Sequence, residues 1–175
     1  MADDSDSDGP MPEMPVAPAE QQGGGLQLPA RDYGGPQKTE VVVEDGASPE
    51  VRVWAEKLAG DLDCLDIRGQ NIGDSGAVAL ASALGTNRSL KSLDIGMNGI
   101  GTEGFKALAA ALSKNSTLLG LDAYCNDMGD DGAVAMAEAL KANATIKEVS
   151  LVGNKVSDES KELLRAAMEG RTIYV

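Results

Sequence analysis

Four segments of this chain begin at even spacing and align without a gap. They are LDCLDIRGQNIGDSGAVALASALGTNRS from Leu62, LKSLDIGMNGIGTEGFKALAAALSKNST from Leu90, LLGLDAYCNDMGDDGAVAMAEALKANAT from Leu118 and IKEVSLVGNKVSDESKELLRAAMEG from Ile146, each starting 28 residues after the last. The shared pattern is L-x-x-L-x-[IL]-x-x-N-x-[IVM]-G-x-x-G-x-x-A-[LM]-A-x-A-L-x-x-N. A unit this short cannot bury its own apolar face, so its neighbours must bury it by stacking, and the fold is restricted to a linear array.

The content of each unit follows from periodicity. Leu65 and Ile67, like Leu93 and Ile95, alternate at a period of two and mark a short strand. Ala79, Leu80, Ala83 and Leu84 recur at helical spacing, so a helix follows. Asp74, Thr102, Asp130 and Asp158 share one position at the helix start and are expected to cap their own helices. Asn87, Asn115 and Asn143 are expected to end those helices in the left-handed conformation that asparagine tolerates. Strands stack about 4.8 Å apart, whereas packed helices need roughly 8–10 Å. Such an array should curve, with strands inside and helices outside.

These repeats resemble the leucine-rich repeat family, specifically the 28-residue class of ribonuclease inhibitors, ligand-sensing domains of NOD-like receptors and Ran GTPase-activating proteins. The resemblance covers residues 62–170. It departs at Gln70, which stands where Asn98, Asn126 and Asn154 carry the asparagine, and in the fourth repeat, where Ser157 and Ser160 replace glycines. It implies an α/β leucine-rich-repeat solenoid, a short curved horseshoe, in which those asparagines form a ladder bonding the loop backbone of the next repeat. It also implies a non-catalytic adaptor or scaffold subunit, with small members of the class occurring in cytoskeletal or axonemal assemblies. The alternative it offers is a regulator of a small GTPase.

The organisation expected is a disordered acidic Pro/Gly-rich tail over residues 1–38, a cap over 39–61, four repeats (62–89, 90–117, 118–145, 146–170) and a capping strand over 171–175. Few large apolar side chains in the first segment leave it unable to offset the entropy of ordering. In the cap, Ser48-Pro49-Glu50 reads as a helix start, and Val51, Trp54 and Leu58 would cover the open face of repeat one. One further period from Ile146 reaches Tyr174, so Thr172-Ile173-Tyr174-Val175 should supply a fifth strand.

Composition narrows function. A net charge of −13 and a pI near 4.3 oppose binding to nucleic acid or to anionic membranes, both of which select for Lys and Arg. The count of histidines is 0, which removes the commonest general base and metal ligand and with it the His-dependent catalytic arrangements. An acidic N-terminus without an apolar run is expected for a cytoplasmic protein, where Cys64 and Cys125 would stay thiols. Cys125 is read as a small buried filler and Cys64 as the more exposed thiol.

Two site readings remain. Asp127, Gly129, Asp131, Gly132 and Glu138 match the spacing of a calcium loop, but Gly129 offers no side-chain oxygen and a strand precedes the loop where an EF-hand needs a helix. Capping and close packing explain these residues without a metal, and no cofactor is expected. The second reading concerns the concave face, where residues between the buried leucines should point: Cys64, Asp66 and Arg68; Ser92, Asp94 and Gly96; Gly120, Asp122 and Tyr124; Glu148, Ser150 and Val152. Stacked carboxylates at Asp66, Asp94 and Asp122 repel one another. Either they are solvated filler, or a partner protein with a basic surface docks against Asp66, Arg68, Asp94, Asp122, Tyr124, Glu148 and Ser150, with Tyr124 as an aromatic anchor.

Overall fold

The computed structural model describes residues 62–175. The expected tail (1–38) and cap (39–61, including Trp54) lie outside the described residues.

Within them the chain alternates strand and helix: β1 (Cys64–Asp66), α1 (Gly73–Thr86), β2 (Ser92–Asp94), α2 (Thr102–Leu112), β3 (Gly120–Asp122), α3 (Gly129–Ala142), β4 (Glu148–Ser150), α4 (Asp158–Ala167) and β5 (Thr172–Tyr174). The strands form one parallel sheet in sequence order. Strands touch strands of adjacent repeats and helices touch helices of adjacent repeats. The side chains between the two layers make the core. Leu65, Leu93, Leu121 and Val149 fill it from the strands, and Leu80, Leu84, Leu108, Leu112, Met136, Leu140 and Leu164 fill it from the helices, with Met168 just past the end of α4. Gly104 shows how close the helices come: a Cβ there would lie 2.9 Å from Ala77 Cβ and 2.7 Å from Asp74 Oδ1.

The polar residues that define the repeat stitch neighbours together, in directions the sequence did not indicate. Asp74 does not cap α1; its Oδ1 accepts from the backbone N–H groups of Gly101 (2.7 Å) and Gly104 (2.9 Å), the start of the following helix. Asp130 likewise accepts from Ser157 N–H (2.8 Å), and Thr102 donates to the Met128 carbonyl (2.9 Å). Asp158 caps nothing and pairs with Lys161 on the surface. Of the four helices among the described residues only α4 has a side-chain cap of its own, Ser157 Oγ accepting from Ser160 N–H. Asp74 and Asp130 stand inside the first turn of their own helices, one residue past its start, where a side chain is not in the cap position, and their carboxylates are taken by the next repeat.

The asparagine ladder runs the opposite way from the expectation, toward the preceding repeat. Asn98 Oδ1 accepts from Gln70 N–H (2.9 Å) while its Nδ2 donates to the Ile67 carbonyl (2.9 Å). Asn126 accepts from Asn98 and Ile100 N–H and donates to the Ile95 carbonyl. A second ladder joins the helix ends. Asn87 and Asn143 are extended rather than left-handed. Asn115 Nδ2 donates to the carbonyls of Leu84 and Asn87, and Asn143 Nδ2 to those of Leu112 and Asn115, which are 31 and 28 residues back.

The last repeat is shorter. β5 pairs with β4 through Glu148↔Thr172, where the earlier strands align Cys64↔Ser92 and Ser92↔Gly120. The strand therefore arrives before a full period from Ile146, and the shortening falls after α4: Arg171 still lies 28 residues beyond Asn143, but β5 begins at the very next residue.

The forward reach of Asp74 has a measurable consequence. Asp74→Ala should cost about 1 kcal/mol, the usual worth of a capping side chain. Amide exchange should accelerate at Gly101 and Gly104, not in the first turn of α1. Acceleration confined to residues 74–77 would refute the cross-repeat cap.

Candidate partner-binding face

Strand alternation sends Leu65, Leu93, Leu121 and Val149 inward and leaves their neighbours on the opposite face of the sheet. The backbone pairs Asp66↔Asp94↔Asp122↔Ser150, so three carboxylates and one hydroxyl stand in a row across β1 to β4. Gly120 and Glu148 form the row beside them.

The carboxylates are not uniformly solvated. Arg68 folds back over β1, donating from Nε to Asp66 Oδ1 (3.0 Å) and lying 3.4 Å from Asp94 Oδ2. The hydrogen bond to Asp66 is the main reason its guanidinium holds its proton more tightly than usual. Asp94 Oδ1 accepts from Gly96 N–H (2.9 Å). Burial, helped by the negative charges of Asp66 and Asp122, still pushes its carboxyl up to about 7, against the opposing pull of Gly96 N–H and Arg68. Mutual repulsion is thus a smaller cause than desolvation.

Tyr124 leans across the neighbouring repeat. A Cβ at Gly96 would come 2.4 Å from Tyr124 Cε1, so only glycine there lets the ring lie down on the strand end. Burial and the Asp94 charge raise its phenol pKa, while a hydrogen bond with Arg68 opposes the shift. Asp66, Arg68, Asp94 and Tyr124 are therefore one interacting group.

Asp122 and Glu148 are half-buried on the same face. Ser150 differs from the expectation. It is 1 % exposed, and its Oγ has no hydrogen-bond partner among the described residues. Cys125 is also corrected: it is exposed, and Cys64 is half-buried. Cys125 has φ 51°, and the residues one period either side, Met97 and Gly153, also have positive φ. The glycines at the aligned positions 69 and 153 were the available signal that a left-handed turn, not a core position, falls here. Val152, expected on this face, and Met97, which was not, are both exposed, and the Met97 N–H donates to the Tyr124 carbonyl while the Cys125 N–H donates to that of Val152, so the face has an apolar margin.

The calcium spacing does not assemble a site. Asp127 pairs with Lys155, and Glu138 lies on α3 with its side chain exposed. Among the described residues no group of Asp, Glu, Cys or His is placed to hold a metal ion. No helix among them is long and apolar enough to cross a membrane.

The Asp94 environment predicts a pH-dependent stability. An aspartate in the unfolded chain titrates near 3.9, so between about 4 and 7 the folded protein holds the additional proton. This contribution is fully present below the unfolded value and is lost as pH rises through 7. Asp94→Asn keeps an acceptor for Gly96 and removes the charge; it should stabilise the protein at pH 8 by about 1–3 kcal/mol, less than roughly 1.4 kcal/mol per pH unit of displacement would give, because water reaches the partly exposed group and Arg68 loses a partner. The gain should shrink toward pH 4. A loss of stability at pH 8 would show that the ionised carboxylate is needed to hold Arg68.

An array of parallel strands and packed helices at this repeat length is a leucine-rich repeat solenoid. The Leucine Rich repeat family model matches residues 62–81, 86–109 and 114–137, so this part of the chain is built of leucine-rich repeats. Among solved structures the chain is similar to "Leiomodin-1 Actin-Binding Site 2 (ABS2)", at 15% identity and TM-score 0.64 over 75% of this chain and 80% of that one. It is also similar to the tropomodulin C-terminal domain of Caenorhabditis elegans, at 12% identity and TM-score 0.63 over 72% of this chain and 82% of that one. At these identities the likeness is one of fold. No curated protein sequence matches the chain.

Proposed function

We propose that the solenoid is a non-catalytic protein-binding module that takes a partner with a basic surface on its strand face, in a cytoskeletal setting. The observation that carries this reading is the row Asp66, Asp94, Asp122: carboxylates held side by side, one of them well desolvated, beside a tyrosine laid across Gly96. Like charges aligned on neighbouring strands destabilise the sheet, and a cationic partner would reverse that sign. The apolar margin of Met97, Tyr124 and Val152 supplies the desolvating contacts that interfaces combine with charge. The likeness to an actin-binding site of leiomodin supports the cytoskeletal part of the reading.

The test is co-sedimentation with actin filaments and with their associated proteins, for the wild-type chain and for Asp94→Asn/Asp122→Asn. Retention by the wild type, with a loss of about tenfold in the double variant that high salt reproduces, is the expected result, since screening lengths fall to about 3 Å at 1 M salt. Undiminished retention of the double variant would place docking on another surface.

A further inference from the structure

The chain carries its own guanidinium in the acidic row, and that arrangement indicates what the rest of the row accepts. Arg68 shows the geometry: Nε donates to Asp66 and also lies within ion-pair distance of Asp94, so one planar cation bridges two aspartates on adjacent strands. The pair Asp94↔Asp122 repeats this spacing one strand further on. There the position equivalent to Arg68 is Gly96, which brings no side chain of its own, and the Tyr124 ring lies over it. Beyond Asp122, in the same row, stands Ser150. Its neighbour Val149 is fully buried in the core, so alternation directs the Ser150 hydroxyl to the acidic side, where Oγ is buried with no partner among the described residues.

We infer that Asp94, Asp122 and Ser150, with the Tyr124 ring alongside, form a subsite for an arginine side chain of the partner protein. The inference rests on the docking face proposed above and names the group that enters it. A guanidinium suits the site where an ammonium does not. Its N–H groups fan out in one plane and can reach two carboxylates and a hydroxyl together, and its flat face stacks on a phenol. It would also give the Ser150 Oγ the donor it lacks.

Titration of the full chain with fluorescein-labelled penta-arginine and penta-lysine peptides, read by anisotropy, tests this. Penta-arginine should bind about fivefold or more tighter than penta-lysine, because bidentate pairing is closed to an ammonium. Asp122→Asn should weaken penta-arginine by about tenfold, as expected for losing one charged partner of a guanidinium. Ser150→Ala removes an unsatisfied hydroxyl and so should fold at least as well as the wild type, yet it should narrow the preference for arginine. Asp131→Asn, on the exposed surface of α3, should change little. Equal affinity for the two peptides, or an arginine preference that Ser150→Ala leaves intact, overturns the subsite. If Asp66→Asn, Asp94→Asn, Asp122→Asn and Glu148→Gln combined leave peptide binding unaltered, the docking face itself is overturned.

Discussion

Asn126→Ala is expected to lower the unfolding free energy by about 3–5 kcal/mol, because several buried backbone groups lose their partners together and each such loss costs about 1–3 kcal/mol. Asn126 is 3 % exposed. Its Oδ1 accepts from Asn98 and Ile100 N–H (2.9 and 3.1 Å), and its Nδ2 donates to the carbonyls of Ile95, Ala123 and Tyr124. No shorter side chain spans these groups. Asn126→Asp would keep the acceptor, lose the donors and face a carboxylate toward three carbonyl oxygens, so it should not rescue. Urea unfolding gives the magnitude, and amide exchange at Asn98 and Ile100 gives the location. A cost below about 1 kcal/mol would mean the ladder is dispensable.

The second large effect is expected at Arg171. Its guanidinium donates to the carbonyls of Leu140 (2.7 Å), Asn143 (2.6 Å) and Ala167 (2.5 Å). Leu140 and Asn143 lie 31 and 28 residues back, the same separations that Asn115 and Asn143 bridge at the earlier helix ends. The shortened last repeat ends its ladder with a longer side chain that reaches the same carbonyl positions. Arg171→Met keeps the aliphatic stem and should cost about 2–4 kcal/mol through the carbonyls it strands, charged donors being worth about 1.5–3 kcal/mol each before compensation by water. Arg171→Lys should recover little, since one ammonium cannot span carbonyls on both helix ends. The Leu151 amide, which donates to the Tyr174 carbonyl at 2.7 Å, should then exchange faster as β5 loosens. An unchanged Leu151 amide would separate Arg171 from the seating of β5.

Much of this was legible because the repeat is a translation. Once Leu65, Leu93 and Leu121 are seen to be equivalent, the inward face, the helix that covers it and the row Asp66, Asp94, Asp122 follow from periods of two and 3.6. What a one-dimensional pattern does not carry is which neighbour a polar side chain reaches. Asp74 stands at a helix start and looks like its cap, yet the amides it bonds are in the next repeat. Asn98 and Asn126 bond the repeat before, not the one after. Ser150 occupies a position exposed in kind but is buried in fact, and Cys125 is the reverse, because the turn at that position is left-handed. Arg171 escaped notice since it breaks the motif by residue type while keeping its bonding.

Asp74 reaches forward and Asn98 reaches back across the same boundary, so the first two repeats are fastened by two independent seams. At the boundary between the third and fourth repeats the forward seam persists through Asp130 and Asn154 Nδ2 still donates to the Ala123 carbonyl (2.8 Å), but Asn154 Oδ1 accepts no bond among the described residues, so the backward seam keeps only half of its bonds. Under a pulling force applied along the array, rupture should therefore start at that boundary and release β4, α4 and β5 as one piece. A protein pulled at this end would lengthen in one step, keeping Asp66, Asp94 and Asp122 aligned on β1 to β3 but taking Ser150 away from Asp122.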